Sequence, residues 1–131
     1  MDKINECIKV VRQYMKEKYK SFPYDYCHET SILFKYLLDE LEINCEVIEG
    51  KWNDFDHFWN KVNGTIIDLT IDQFDKVKYG FVNQEYYKKW YYERGKCDLS
   101  WIDDIQNEED DEYRDGLKQS AKECFKKLMC N

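Results

Sequence analysis

The stretch HFWNKVNGTIIDLT, residues 57–70, carries the strongest fold signal in the chain. Asn63-Gly64 lies between two runs rich in apolar residues, and this dipeptide favours a two-residue hairpin turn because both turn positions need positive φ. With the turn placed there, residues equally distant from it face each other across the two strands. The stretch therefore predicts an antiparallel hairpin with strands over 56–62 and 65–71.

The pairing puts a histidine and a carboxylate on the same face of this hairpin. Cross-strand partners share a face, and so do alternate residues of one strand. His57, Trp59 and Asp68 therefore point to one side, and His57 and Asp68 are diagonal neighbours roughly 7–8 Å apart between backbones. A carboxylate in that position can accept a hydrogen bond from one imidazole nitrogen and fix the tautomer. The other face is mostly apolar and carries Phe58, Asn60, Val62, Thr65, Ile67 and Leu69.

A cysteine lies at the start of the helix that precedes the hairpin. Residues 25–41 carry apolar side chains at intervals of three and four, which is typical of an amphipathic helix. Asp25 is the expected N-cap, and Cys27 falls in the first turn. A helix N-terminus and a neighbouring imidazolium both favour the thiolate of a cysteine. The unpaired backbone N–H of Cys27 is also a candidate oxyanion donor.

Three dispersed residues thus have the types that nucleophilic catalysis needs. Cys27 is the candidate nucleophile, His57 the base and Asp68 the group that orients the base. A cysteine near a helix start is often simply a buried apolar residue, and a strand histidine is often structural. Asp68 is harder to explain in that way, because a carboxylate between apolar neighbours needs a partner. His28 is an alternative base, or else a solvent-facing helix residue.

The remaining pattern predicts an α+β domain. The further elements expected are a helix over 2–20, a strand over 44–50, a helix over 84–93, a loop or helix start over the acidic run 107–115, and an amphipathic helix over 112–129. No internal repeat or linker divides the sequence, so residues 1–131 are expected to form a single domain.

Composition narrows the classes of partner. The chain of 131 residues has a net charge of -7, which disfavours nucleic acid and anionic membrane as partners. Charges are scattered through the first residues, and no apolar stretch has the length of a signal peptide core or a membrane span. We therefore expect a cytoplasmic protein whose six cysteines are reduced. The spacing of Cys and His fits no zinc site, and no metal or cofactor is expected.

The order of motifs over residues 22–75 resembles the transglutaminase-like branch of the papain-like cysteine-enzyme superfamily. Its bacterial members show a cysteine at a helix start, a short strand ending near a glycine, a His-x-Trp on the next strand, and an Asp-Leu/Ala-Thr motif leading into Gln-Phe. The corresponding residues here are Cys27, Gly50, His57-Phe58-Trp59, Asp68-Leu69-Thr70 and Gln73-Phe74.

This resemblance implies a papain/transglutaminase-like core, with N-terminal helices packed on a small antiparallel sheet and a helical C-terminal part. It also implies a Cys-His-Asp triad that forms a thioester with a protein or peptide substrate, as a peptidase, deamidase or transamidase does. Whether water or an amine then accepts the acyl group stays open, as does the oligomeric state. Candidates for substrate binding, or for the second oxyanion donor, are Trp59, Tyr26, Trp52 and Gln73. The two tryptophans are expected to be exposed and to line a cleft, with core packing as the alternative for Trp59.

A function from another class stays open beside this one. The negative charge, the acidic run 107–115 and the many tyrosines suit a non-catalytic binding or inhibitor protein built on the same fold. A third option, an acetyltransferase, would need a coenzyme site that the sequence does not reveal. The reactivity of the thiols distinguishes an enzyme, with one hyper-reactive cysteine at position 27, from a binder.

Overall fold

A computed structural model describes residues 2–99 and 108–130 of the chain. The elements, in chain order, are α1 (Asp2–Lys18), α2 (Cys27–Glu40), β1 (Glu46–Trp52), β2 (Phe55–Val62), β3 (Thr65–Asp68), a 3-10 turn (Ile71–Gln73), β4 (Gly80–Phe81), α3 (Gln84–Trp90), β5 (Tyr91–Lys96) and α4 (Glu108–Met129). The described residues thus form four α-helices and a five-stranded antiparallel sheet with strand order β4-β3-β2-β1-β5. The predicted α+β class is confirmed. Within the same residues, none of the helices combines the length and the apolar character needed to cross a membrane.

The hairpin of β2 and β3 has the predicted turn and register. Asn63 and Gly64 have φ values of 50° and 80°, and Val62 pairs with Thr65. The second strand is shorter than the expected 65–71 and ends at Asp68. There the Asp68 carboxylate accepts the backbone N–H of Thr70 at 3.0 Å, which turns the chain out of the sheet.

Apolar clusters cover both faces of the sheet. One cluster joins α1, α2 and α4 to the sheet face that carries Val47, Val62 and Ile67. The other lies on the opposite face, where Trp59 packs with Tyr91 and the aromatic residues of α3. His57 belongs to this second face, so the candidate site lies beside an aromatic cluster.

The start of α2 differs from the prediction. Asp25 is not the N-cap; the helix begins at Cys27, and Tyr26 precedes it without a side-chain cap. Asp25 instead has a φ of 66°, and its backbone N–H donates to the Gln73 side-chain oxygen at 3.3 Å. A tertiary hydrogen bond thus holds this residue outside the helix.

The region after residue 80 also differs. The expected helix over 84–93 ends at Trp90, and Tyr91 begins β5, which pairs with β1 as an edge strand. Backbone pairing along β1 outweighs local helical spacing, as is common for short segments. The acidic run 107–115 contributes the first turns of α4 from Glu108 onward, while residue 107 lies outside the described residues.

Candidate active site

His57 and Asp68 form a buried hydrogen-bonded pair, as the hairpin register predicts. The His57 Nε2 and Asp68 Oδ2 atoms are 2.7 Å apart, and the two residues are only 1% and 0% exposed. The carboxylate therefore fixes the orientation of the imidazole. Because Nε2 is bonded to Asp68, Nδ1 is the ring nitrogen left to interact with another group.

Further donors saturate the Asp68 carboxylate. The Tyr91 hydroxyl donates to Oδ2 at 2.6 Å, and the Thr70 backbone N–H donates to Oδ1 at 3.0 Å. Burial by itself raises the pKa of Asp68, but the charge of His57 and these hydrogen bonds outweigh burial and hold the pKa below its usual range. Asp68 is thus an anion at neutral pH despite its burial.

The pKa of His57 rises from 6.5 to about 9. Burial alone would lower it, but the charge of Asp68, the hydrogen bond to Asp68 and the nearby Cys27 side chain all raise it. Nδ1, the other ring nitrogen, is buried and has no hydrogen-bond partner among the described residues. The Cys27 side chain is nevertheless close enough to raise the pKa of the imidazole through hydrogen bonding and through its charge.

Cys27 approaches His57 from the edge of the sheet. α2 packs mainly on the face of the sheet opposite His57: the Asn60 side chain on that face donates to the backbone oxygen of Ser31 at 3.0 Å. α2 therefore does not cover the His57 face. β3 pairs only with the inner half of β2, from Asn60 to Val62, which leaves the half with His57 open at that edge. Half-buried Cys27 lies there, in a narrow crevice that Trp59 and Thr70 also line.

Trp52 and Trp59 are buried, at 7% and 1% exposure, so the expectation that they are exposed is wrong. The Trp59 indole N–H donates to the Tyr87 hydroxyl at 3.2 Å, and the Trp52 indole N–H donates to the Tyr86 hydroxyl at 3.3 Å. Trp59 also lies against Gly50, which pairs with His57; a Cβ on Gly50 would be 2.7 Å from the Trp59 ring. Both tryptophans therefore contribute to the packing behind the imidazole.

The other two sequence candidates flank the nucleophile. Tyr26 directly precedes Cys27, and its ring stacks on Tyr19 with centroids 4.4 Å apart. The Gln73 side-chain oxygen accepts from the backbone of Asp25, which places this amide next to the start of α2. The Gln73 Nε2 atom is buried and has no hydrogen-bond partner in the described part of the chain. It is thus an amide donor whose hydrogen-bonding capacity is unused.

His28 is turned away from His57 and Asp68. Its Nδ1 lies 3.0 Å from the Tyr113 hydroxyl of α4, and its ring packs on Phe58 at 4.7 Å between centroids. Phe58 is on the face opposite His57, so the structure favours His57 over His28 as the base. Burial lowers the pKa of His28, whereas at His57 the charge and the hydrogen bond of Asp68 outweigh burial and the pKa is raised.

Two residues that sequence reasoning missed contact the pair directly. Tyr91 donates to Asp68, and Phe74 places its ring edge-on to His57 at 4.9 Å, between the rings of Trp52 and Phe55. Tyr91 lay in a segment expected to be helical, so no strand register pointed to it. Phe74 was noted only as part of a motif.

Comparison of the chain with protein-family models, curated proteins and solved structures finds no match. No group of three or more His, Cys, Asp and Glu side chains in the described ranges is arranged to hold a metal ion.

Proposed function

We propose that the chain is a cysteine-dependent hydrolase or acyl transferase that acts on a protein or peptide through a thioester, on a papain/transglutaminase-like core. The observation that carries this proposal is the buried His57–Asp68 hydrogen bond of 2.7 Å, with Cys27 near enough to raise the pKa of the same imidazole. A buried acid–imidazole pair next to a cysteine at a helix start is the arrangement that activates a thiol.

The steps follow from these groups. His57 takes the proton of the Cys27 thiol and becomes the imidazolium. The Cys27 sulfur attacks the substrate carbonyl carbon, and the C–S bond forms as the carbonyl electrons move to oxygen. The C–N bond then breaks, and the leaving amine takes a proton from the His57 imidazolium. Water or a second amine next attacks the thioester carbon while His57 accepts its proton, and the thiolate leaves. Asp68 holds the imidazole in place throughout and stays ionised.

The oxyanion of the intermediates needs donors beside the nucleophile. The backbone N–H of Cys27 lies in the first turn of α2, where helix N–H groups have no partner within the helix. The unused Nε2 of Gln73 is the side-chain donor that we assign to the same oxygen, because its amide is anchored two residues before Cys27. Trp59 is less suited, since its N–H already donates to Tyr87.

Labelling of the thiols with iodoacetamide at pH 6 tests the proposal. Burial raises the pKa values of Cys7 and Cys97 to about 11 and those of Cys45 and Cys124 to about 12, so these thiols react slowly. Cys130 is exposed and provides the internal reference. We expect Cys27 to react at least about tenfold faster than Cys130, and His57→Gln to remove this advantage. Equal rates at the two positions in the wild type would favour the acidic binding protein instead.

A peptide chloromethyl ketone series then reports the substrate class, because only a working site selects among acyl groups. Addition of a primary alkylamine to a peptide ester separates the two acceptors: an alkylamide product that requires Cys27 indicates transfer to an amine, and a free acid alone indicates hydrolysis. Cys27→Ala is expected to abolish both products while circular dichroism stays unchanged. The cytoplasmic location remains a prediction from the sequence.

A further inference from the structure

Tyr91 donates to the same carboxylate oxygen as His57. Its hydroxyl is 2.6 Å from Asp68 Oδ2, and His57 Nε2 is 2.7 Å from that atom. The remaining oxygen of the carboxylate, Oδ1, is occupied by the backbone N–H of Thr70. The two side chains therefore share one acceptor, and the strength of either hydrogen bond depends on the other.

The tyrosine ring is held in place by packing and by strand pairing. Tyr91 is the first residue of β5 and pairs with Trp52 of β1. Its ring meets Trp59 edge-on at 5.0 Å and lies 4.9 Å from Tyr87 between centroids. Burial and then the charge of Asp68 raise the pKa of Tyr91 far above its usual range, so the hydroxyl is a permanent donor.

Resting on the function proposed above, we propose that Tyr91 is a positioning residue that acts through Asp68. Its hydroxyl fixes the plane of the carboxylate and takes up part of the negative charge that Asp68 would otherwise direct at His57. Tyr91 thereby limits how strongly the imidazolium is stabilised and sets the pH at which His57 loses its proton.

Tyr91→Phe removes the hydroxyl and keeps the ring. Asp68 stays ionised through Thr70 and His57, and its charge then acts more fully on the Nε2 proton. The His57 titration midpoint is expected to move upward by about 0.5–1 pH units, since hydrogen bonds to charged groups are strong. Tyr87→Phe is the matched control, because Tyr87 contacts the same rings but donates to Glu93 at 3.1 Å rather than to Asp68.

The measurement is an NMR titration of histidine labelled with ¹⁵N, which is well resolved because the chain has only two histidines. The expected result is an upward shift in Tyr91→Phe and none in Tyr87→Phe. Unchanged His57 midpoints in both folded variants would overturn the role of Tyr91, since a tyrosine that only packs would alter stability alone. If Tyr91→Phe does not fold, 3-fluorotyrosine at position 91 is the second variant. A stronger donor there should move the midpoint downward, and no movement overturns the role.

Failure of this inference differs from failure of the proposed function. Iodoacetamide labelling of the same samples at pH 6 reports on Cys27 independently. Fast labelling of Cys27 together with an unchanged His57 titration midpoint in Tyr91→Phe rejects only the positioning role of Tyr91. Slow labelling of Cys27 in the wild type rejects the proposed enzymatic function, whatever the titration midpoint of His57.

Discussion

Asp68→Asn should make the stability of the protein much less dependent on alkaline pH. The pKa of His57 is raised from 6.5 to about 9, with Asp68 the main source of the rise against burial. A pKa that is higher in the folded state stabilises the fold fully below the unfolded value and ceases to do so as pH rises through the folded value. The shift corresponds to about 3 kcal/mol of unfolding free energy, present below pH 6.5 and lost by pH 10.

In Asp68→Asn the largest source of the rise is gone, and only Cys27 still opposes burial, which lowers the pKa of His57. The variant therefore has much less of this stabilisation to lose at alkaline pH. The difference in unfolding free energy between wild type and variant should shrink by about 3 kcal/mol between pH 6.5 and pH 10. The lowered pKa of Asp68 itself acts only in acid, below the ordinary value of 3.8, and does not enter this window.

Urea unfolding at closely spaced pH values, followed by circular dichroism, measures this difference. Asp56→Asn is the matched control, because Asp56 precedes His57 on β2 but is exposed and pairs only with exposed Arg94 in the described part of the chain. The unfolding free energy of Asp56→Asn should change with pH in parallel with that of the wild type. Parallel curves for Asp68→Asn as well would refute the coupling between Asp68 and His57.

Two further predictions concern the folding stability of the protein. Gly50→Ala should cost about 3 kcal/mol or more of unfolding free energy, because the added Cβ would overlap the backbone oxygen of Tyr92 and lie 2.7 Å from the Trp59 ring. Gly116→Ala, in α4 with nothing within 4 Å, should instead raise stability by about 0.5–1 kcal/mol in the same urea assay. Arg12→Leu should cost about 2–3 kcal/mol, since Arg12 donates to both oxygens of half-buried Asp72 at 2.9 Å. A loss below about 0.5 kcal/mol in thermal unfolding would show that this ion pair is no stronger than a surface pair.

Much of the site could be predicted from local pattern. Asn63-Gly64 sets a turn with only one reasonable register, and the register alone brings His57 and Asp68 to the same face. The apolar period places Cys27 in the first turn of a helix. These features depend on steric preference and on the alternation of apolar and polar residues over a short stretch, so they can be predicted from the sequence.

Contacts between distant segments could not be predicted in this way. Tyr91 reaches Asp68 only because a short segment with helical spacing becomes an edge strand on β1. The aromatic residues of α3 then pack on the sheet face that carries His57, and α2 packs on the opposite face. Cys27 therefore approaches at the open edge of β2 rather than from above the sheet.

The amino-acid order by itself determined the three longer helices, the hairpin and the pairing of histidine with carboxylate, because each depends on neighbours in the chain. Only the tertiary structure decided which layer covers each face, how the cysteine meets the imidazole, and that a tyrosine shares the carboxylate. Those outcomes depend on packing and on edge pairing between segments that are far apart in the chain, where local periodicity has no influence.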